Sequence, residues 1–224
     1  MLSFFKDYKK FAVVFLIISV IIVFLIYNKL NVYQPLPIYQ PSMVSTELVD
    51  STIQYKKKYH KIADFSLINQ NGKTITQDDY KDKIYVADFF FTTCQTICPV
   101  MTTNMAEIQK AIMDDDNVML LSHSVTPTID SVEQLKRYAI EKGVNDKKWN
   151  LVTGDKKQIY ELARKSYLAV KTVGDGGPFD MIHTENFMLI DKKRQIRGFY
   201  DGTDPDDIER LLGDIKILEK EPVK

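Results

Sequence analysis

The chain has only two cysteines among its 224 residues. This is too few for the disulfide framework that stabilises many small secreted domains. It also carries no net charge, because 30 basic residues balance 30 acidic ones. Such a balance gives no reason to expect nucleic acid or an anionic surface as a partner. Three histidines are present, so few imidazoles are available for a metal ion, and no internal repeat is visible.

One long apolar run lies near the N-terminus. Residues 11–27 (FAVVFLIISVIIVFLIY) would form a helix about 26 Å long, which is near the lower limit for crossing a membrane. A cleavable signal peptide is the alternative, but residues 28–30 (NKL) offer no small-residue cleavage site. Lys6, Lys9 and Lys10 precede the run, which favours a cytoplasmic N-terminus. The sequence therefore predicts a single-pass transmembrane anchor, with residues 1–10 in the cytoplasm and the C-terminal domain on the periplasmic side.

The stretch after this run predicts a linker. Residues 28–59 contain three prolines at positions 35, 37 and 41 and show neither helical nor alternating periodicity, which is typical of a stalk. His60 follows directly and is expected to be solvated. The roughly 160 residues that remain are enough for one domain with a substantial core.

Alternating strand and helix signals fill this domain. A hairpin is predicted around Asn71-Gly72, and an apolar strand at 84–91. Further strands and helices are predicted in the following order: strand 118–121, a helix from about residue 131, strand 149–152, a helix opening at 154–155, a hairpin of strands 187–190 and 196–199, and a last helix from 204–205. This order predicts an α/β fold with a mainly parallel sheet covered on both sides and an antiparallel hairpin at one edge.

Both cysteines come directly after the apolar strand at 84–91. Pro99 follows Cys98 and is typical of the first residue of a helix. Cys94 and Cys98 would then lie at the positive end of the helix dipole, which stabilises a thiolate. Thiolates attack disulfides and bind soft metals, so both chemistries are open. A structural disulfide is the third interpretation, but the loop it would close is short and its contribution modest.

The metal interpretation depends on a third donor. Two thiolates alone suit Cu(I) in a digonal site, and one imidazole makes the site trigonal, whereas a zinc site normally needs a fourth protein ligand that is not evident here. His123 follows the strand at 118–121 and is expected to be a hydrogen-bonded structural residue. His183 lies just before the strand at 187–190 and is the candidate ligand. Thioredoxin-like oxidoreductases have two residues between their cysteines. This chain has three, so the two sulfurs can lie further apart.

The segment Phe91-Thr-Thr-Cys94-Gln-Thr-Ile-Cys98-Pro99 resembles the F-[TS]-x-C-x-x-x-C-P signature of the SCO/SenC family of membrane-anchored copper proteins. His183 before the strand Phe-Met-Leu-Ile-Asp is similar to its family counterpart, as are Leu-Val-Thr-Gly at 151–154 and the N-terminal anchor. The resemblance covers residues 60–218 and leaves 219–224 as a tail. It implies a thioredoxin-like mixed sheet flanked by helices, with copper, Cu(I) or Cu(II), bound by Cys94, Cys98 and His183.

The resemblance also implies a function and shows two departures. The implied role is delivery of copper to an acceptor such as cytochrome c oxidase subunit II during assembly of its dinuclear copper centre, or reduction of the acceptor's cysteines. Thr126 stands where many relatives have an acidic residue, and Ile182 where many have aspartate, so negative charge is lost near the expected site. From the resemblance we predict a copper chaperone rather than an enzyme. The alternative is a thiol–disulfide oxidoreductase that uses Cys94 and Cys98. Peroxidase activity is a weaker third hypothesis, because nothing in the sequence distinguishes the two sulfurs.

Overall fold

The computed structural model describes residues 8–30, 35–45, 49, 52–170, 182 and 184–221. It divides into two compact units, residues 1–35 and residues 36–224. The first unit contains helix α1 (Lys9–Leu30), whose side chains are described for residues 9 and 11–26. Within the described part of the chain, no helix is both long and apolar enough to cross a membrane. The transmembrane anchor therefore stays a prediction.

The second unit is built on a seven-stranded mixed sheet in the order β2-β1-β5-β4-β3-β6-β7. The strands are β1 (Ser66–Asn69), β2 (Thr74–Thr76), β3 (Ile84–Phe90), β4 (Val118–Ser124), β5 (Trp149–Thr153), β6 (Asn186–Ile190) and β7 (Ile196–Asp201). Among the strands that the structure describes, only β3–β4 and β4–β5 pair in parallel, so the prediction of a mainly parallel sheet is wrong. The reason is that two antiparallel hairpins, β1–β2 and β6–β7, extend the parallel centre, one at each edge. A mixed sheet, as the family resemblance implies, is confirmed.

In the described part of this unit, four α-helices accompany the sheet: α2 (Cys98–Ala111), α3 (Val132–Lys142), α4 (Lys156–Glu161) and α5 (Pro205–Lys220). A π-helical turn, Leu162–Ser166, continues α4. The predicted start signals are confirmed. The Ser131 hydroxyl accepts a hydrogen bond from the backbone N–H of Gln134, and the Asp204 carboxylate accepts one from that of Asp206. These side chains satisfy N–H groups that have no partner within the helix.

The sheet separates two hydrophobic clusters. One contains Met101 and Met105 of α2 together with residues of α3 and α5, and the other contains Phe89 together with residues of α4 and the loops. Side chains alternate between the faces of a strand, and the register pairs Phe89 with His123. His123 therefore belongs to the Phe89 face, whereas Cys98 packs in the cluster of the opposite face.

The segment that precedes β1 packs against the domain. The backbone N–H of Tyr39 donates to the carbonyl of Ile196 at 2.9 Å, and the Tyr39 ring meets Phe199 edge-on at 5.2 Å between centroids. Arg197 donates to the carbonyls of Leu36 and Pro37 at 2.6 and 3.0 Å. The compact unit accordingly begins at Leu36, inside the stretch that composition marks as a linker.

His60 is buried, with 7% of its surface exposed, so the expectation that it is solvated is wrong. Its Nε2 lies 2.7 Å from the carbonyl oxygen of Ser166, and its backbone N–H donates to the Gln40 side chain at 3.0 Å. Desolvation lowers the pKa of this imidazole, although the Ser166 hydrogen bond opposes the shift. His60 joins the early segment to the end of the π-helical turn and is structural.

Candidate metal centre

The two cysteines lie where the chain leaves the centre of the sheet. Strand β3 is buried along its whole length and ends at Phe90, and α2 begins at Cys98 with Pro99 in its first turn, as predicted. Between them the chain turns, with the Cys94 N–H donating to the Phe91 carbonyl at 3.3 Å. This position, beyond the carboxyl ends of the parallel strands, is where α/β sheets commonly bind ligands.

The two thiols have different surroundings. Both cysteines are free. Cys98 is only 3% exposed and packs in the cluster that contains Phe90 and Met101, whereas Cys94 is half-buried at the edge of that cluster. The Cys94 sulfur lies 3.5 Å from the Thr96 hydroxyl oxygen. Cys94 is therefore the sulfur that faces an incoming molecule.

The same surroundings make the acidities unequal. Burial disfavours the Cys94 thiolate, but hydrogen bonds from the Cys98 thiol, the Thr96 hydroxyl and nearby backbone N–H groups outweigh it and lower the pKa of Cys94 to about 7. Burial, followed by donation of its proton to Cys94, raises the pKa of Cys98 to about 12. The pair thus shares one proton near neutral pH, held on Cys98. This difference between the sulfurs is not predictable from the motif, because it depends on burial.

A buried carboxylate, Asp130, organises the loop before Cys94. Asp130 is fully buried and accepts hydrogen bonds from the hydroxyls of Thr92 and Ser124, both at 2.5 Å, and of Thr126 at 3.0 Å. The Thr126 hydroxyl therefore binds a carboxylate four residues further along, so this region does contain an acidic group. Sequence reasoning missed Asp130, although hydroxyl residues on both sides of the end of β4 are a signal for such a cluster.

Asp88 is a second buried carboxylate that sequence reasoning missed. It lies within the otherwise apolar strand β3, is 3% exposed, and its Oδ1 has no hydrogen-bond partner among the described residues. Burial raises its pKa to about 7, against a hydrogen bond from Ser122 that lowers it. Its negative charge contributes to the raised pKa of Cys98. An acidic residue inside an apolar strand was the available signal.

Of the two other histidines considered as donors, only His123 is described. It is completely buried, stacks on Phe89 at 4.9 Å between centroids and places its Nδ1 3.2 Å from the Asp88 carbonyl oxygen. Because it lies on the opposite face of the sheet from Cys98, it is not a ligand. The expectation of a hydrogen-bonded structural residue holds for one ring nitrogen, and Nε2 has no partner among the described residues.

His183 lies outside the described residues. Among the residues that are described, no group of three or more histidine, cysteine, aspartate and glutamate side chains is arranged to hold a metal. Ile182, the residue before His183, is buried within the cluster that contains Tyr160. The Ile182 N–H donates to the Tyr160 hydroxyl at 3.4 Å. This apolar environment explains how the chain accommodates isoleucine at position 182.

Comparison with known proteins identifies the family. The profile of the SCO1/SenC family matches residues 53–218. The chain belongs to the SCO1/SenC family. The match includes the cysteine loop, the Asp130 cluster and position 183, and it begins close to the point at which composition ends the linker.

Solved structures of SCO1/SenC proteins are similar to this chain. A SCO1/SenC lipoprotein from Bacillus anthracis is 33% identical, with a TM-score of 0.64 over 72% of this chain and 96% of the other. BsSco, a member of the Sco family of cytochrome c oxidase assembly proteins in which a disulfide switch was identified, is 30% identical, with a TM-score of 0.62 over 73% and 95%. Bradyrhizobium japonicum ScoI, whose structure contains copper, is 26% identical, with a TM-score of 0.57 over 71% and 99%.

Proposed function

We propose that this protein is a membrane-anchored copper chaperone that supports assembly of the dinuclear copper site of cytochrome c oxidase. Copper is its cargo, held by the thiolates of Cys94 and Cys98 and by the imidazole of His183, and subunit II of the oxidase is the acceptor. The proposal includes the predicted anchor at residues 11–27, with the domain on the periplasmic side. Its main support within this chain is the pair of free thiols, one of them acidified, at the start of α2.

The thiol pair suits a soft cation. Thiolate sulfur is the ligand type that selects Cu(I) over hard cations. Cys94 is half-buried and has its pKa lowered to about 7, so a large fraction is already deprotonated at neutral pH and accessible for the first contact. Cys98 follows by releasing its proton, because a metal ligand must be deprotonated. Capture can therefore proceed one sulfur at a time.

A chain of hydrogen bonds supports His183 as the third donor. Ile182, immediately before it, donates to the Tyr160 hydroxyl, and this hydroxyl donates to the carbonyl of Val125 at 3.0 Å. The Val125 N–H in turn donates to the carbonyl of Phe90 at 2.9 Å, and Phe90 ends the strand that leads to Cys94. Ile182 is thus connected by hydrogen bonds to the carboxyl-terminal end of β3, where the cysteine loop begins.

The copper-bound relative and the assembly role of BsSco support this function by similarity. A second candidate function, thiol–disulfide oxidoreductase, is favoured by the unequal acidities of Cys94 and Cys98. A thiolate paired with a buried thiol is the arrangement that attacks a disulfide and then resolves the mixed disulfide. The same two sulfurs serve both functions, so the third donor separates them.

Replacement of His183 tests the chaperone function. His183→Ala should weaken Cu(I) affinity about tenfold or more, since even the loss of a group behind a ligand costs a metal site this much. The reduction potential of the dithiol should hardly change. Anaerobic titration of residues 36–224 with Cu(I) and Cu(II), read by absorption and metal stoichiometry, measures the first quantity, and equilibration with thiol buffers measures the second.

The matched control is His60→Gln, which removes a buried histidine far along the chain from the sulfurs and should leave copper affinity unchanged. In cells, His183→Ala should lower cytochrome c oxidase activity, and added copper should partly restore it. Normal oxidase activity in that variant, together with loss of activity in Cys94→Ser, would instead establish the oxidoreductase function.

A further inference from the structure

A polar groove opens beside the half-buried thiol of Cys94. It has a volume of about 370 Å³ and lies between the cysteine loop and helix α3, with Cys94 and Pro99 on one side and Gln134 and Arg137 on the other. Lys142 and Glu141 complete its far end. A molecule that reacts at the Cys94 sulfur therefore meets the polar face of α3.

The charges in this groove are not equally available. The Lys142 ammonium is paired with the Glu141 carboxylate at 2.8 Å and lies 5.5 Å from the centre of the Tyr138 ring. Arg137, by contrast, has no ion pair within 4 Å among the described residues, and its guanidinium donates a hydrogen bond to a neutral amide, the Gln134 side chain, at 2.6 Å. The Glu133 carboxylate is influenced by the Arg137 charge but hydrogen-bonds the Ser131 hydroxyl. Of the two cations that line the groove, Arg137 is thus the one without an ion pair within 4 Å among the described residues.

A relay of hydrogen bonds orients this arginine. The Gln134 side chain accepts from Arg137 through Oε1 and donates through Nε2 to the Thr92 hydroxyl at 3.1 Å. The Thr92 hydroxyl donates to the buried carboxylate of Asp130 at 2.5 Å. The relay begins at the fully buried Asp130, passes through Thr92, which lies two residues before Cys94 in sequence, and ends at Arg137 in the groove. A guanidinium held in this way presents its other N–H donors to a planar anion such as a carboxylate.

We propose that this groove binds a carboxylate carried by the thiol or disulfide partner of Cys94, with Arg137 as its receptor. Partners with an acidic group next to the reacting sulfur are then preferred over neutral or basic ones. The inference rests on the proposed function insofar as Cys94 is the sulfur that meets the partner, but it does not depend on copper.

Disulfide exchange reports on this preference without metal. The Cys94 thiolate attacks one sulfur of an added disulfide, forming a mixed disulfide and releasing one thiolate. Cys98, after losing its proton, attacks the Cys94 sulfur and releases the second thiolate, which leaves a Cys94–Cys98 disulfide. The added disulfide is reduced to two thiols and the protein dithiol is oxidised; one of the two protons on the released thiols comes from Cys98 and the other from water, because Cys94 begins as a thiolate.

The test uses the reduced, metal-free domain with 3,3′-dithiodipropionate, bis(2-hydroxyethyl) disulfide and cystamine, which are anionic, neutral and cationic. Each rate is divided by the rate of the same disulfide with 2-mercaptoethanol, to remove intrinsic reactivity. We expect the anionic reagent to react about tenfold faster than the cationic one at low ionic strength. This ratio should shrink in 1 M salt, where screening acts within about 3 Å.

Arg137→Gln should bring the ratio close to one, and Arg137→Glu should invert it. The control is Lys136→Gln, the same charge change one residue earlier, because Lys136 contacts Asn71 and Asp146 outside the groove. A ratio near one in the unaltered protein, or a ratio unchanged by Arg137→Gln, would overturn the inference. Copper titration of the same samples keeps the two proposals separate: normal copper binding without charge preference refutes the groove alone, and charge preference without copper binding refutes the chaperone function alone.

Discussion

Copper affinity should depend on pH through the unequal acidities of the two thiols. Both sulfurs must be thiolates to bind copper, but they begin with different proton occupancies. At pH 8 Cys94, with a pKa of about 7, is mostly deprotonated, whereas Cys98, with a pKa of about 12, still holds its proton. Binding therefore releases about one proton at pH 8 and about two at pH 6.

The size of the effect follows from this proton count. Each displaced proton changes the affinity tenfold per pH unit, or 1.36 kcal/mol. Protons compete with copper, so affinity falls as pH falls. Between pH 8 and 7 the expected loss is about twentyfold and between pH 7 and 6 about fiftyfold, or roughly 10³ in total. A histidine ligand would add a third proton below about pH 6.5.

Two measurements check this prediction. Anaerobic competition between the protein and a Cu(I) chelator at pH 6, 7 and 8 gives the affinities, and titration in weak buffer gives the protons released. Cys98→Ser should reduce the release at pH 8 to nearly zero, because Cys94 is already ionised there. Release of two protons per copper at both pH 8 and pH 6 would refute the lowered pKa of Cys94, because both thiols would then still be protonated at pH 8.

Two predictions concern stability. Asp88 has a pKa of about 7 in the folded protein, above its ordinary 3.8. Its contribution to the free energy of unfolding is therefore fully present below pH 3.8 and is lost as pH rises through 7. Burial lowers the pKa of His123 to about 4, so its contribution is present above pH 6.5 and lost as pH falls through 4. These opposite slopes cancel between about pH 4 and 6.5. In Asp88→Asn the unfolding free energy, measured in urea, should therefore rise with pH about 1.4 kcal/mol per unit more steeply than in the unaltered protein; an identical slope would contradict the assignment. Arg197→Met should lower the free energy of unfolding by about 3–5 kcal/mol, because it leaves the Glu221 carboxylate without its buried partner. Lys110→Met, at an exposed ion pair, should cost under about 1 kcal/mol, and equal losses in the two variants would refute the importance of the buried arginine.

The elements that the sequence predicts well are those with local signals. The proline after Cys98 marked the start of α2, and Ser131 marked that of α3, because capping and the first helical turn involve residues close in sequence. The order of the strands was not predicted in the same way, since pairing β1 antiparallel to β5 depends on contacts between distant residues. The burial of His60 was missed for a similar reason. Its partner, Ser166, lies about a hundred residues further along, so local composition gave no indication of the contact.

At the candidate site, the sequence predicted the donor types but not their electrostatics. The spacing of Cys94 and Cys98 and the family resemblance identified both sulfurs. Their unequal acidities depend first on the depth to which Cys98 is buried, then on the hydrogen bond between the two sulfurs, with a smaller contribution from the charge of Asp88; none of these features is visible in the motif. The loss of acidic residues at 126 and 182 likewise suggested a site poor in negative charge. The structure instead contains Asp130 beneath Thr126, so the carboxylate is supplied from another position.

If Cys94 and Cys98 hold copper as proposed, their unequal acidities explain how one site could both bind the metal and release it. A pair of fully ionised, exposed thiolates would bind copper tightly at neutral pH and offer no low-cost route for release. Here the buried Cys98 regains its proton readily when the metal leaves, because its pKa of about 12 lies far above neutral pH, and this reprotonation favours transfer to an acceptor sulfur. Cys94, at the edge of the groove, is the sulfur that can remain bonded to copper while the acceptor approaches. The proposed function therefore predicts that the order of capture, Cys94 before Cys98, reverses on delivery, with Cys98 releasing first.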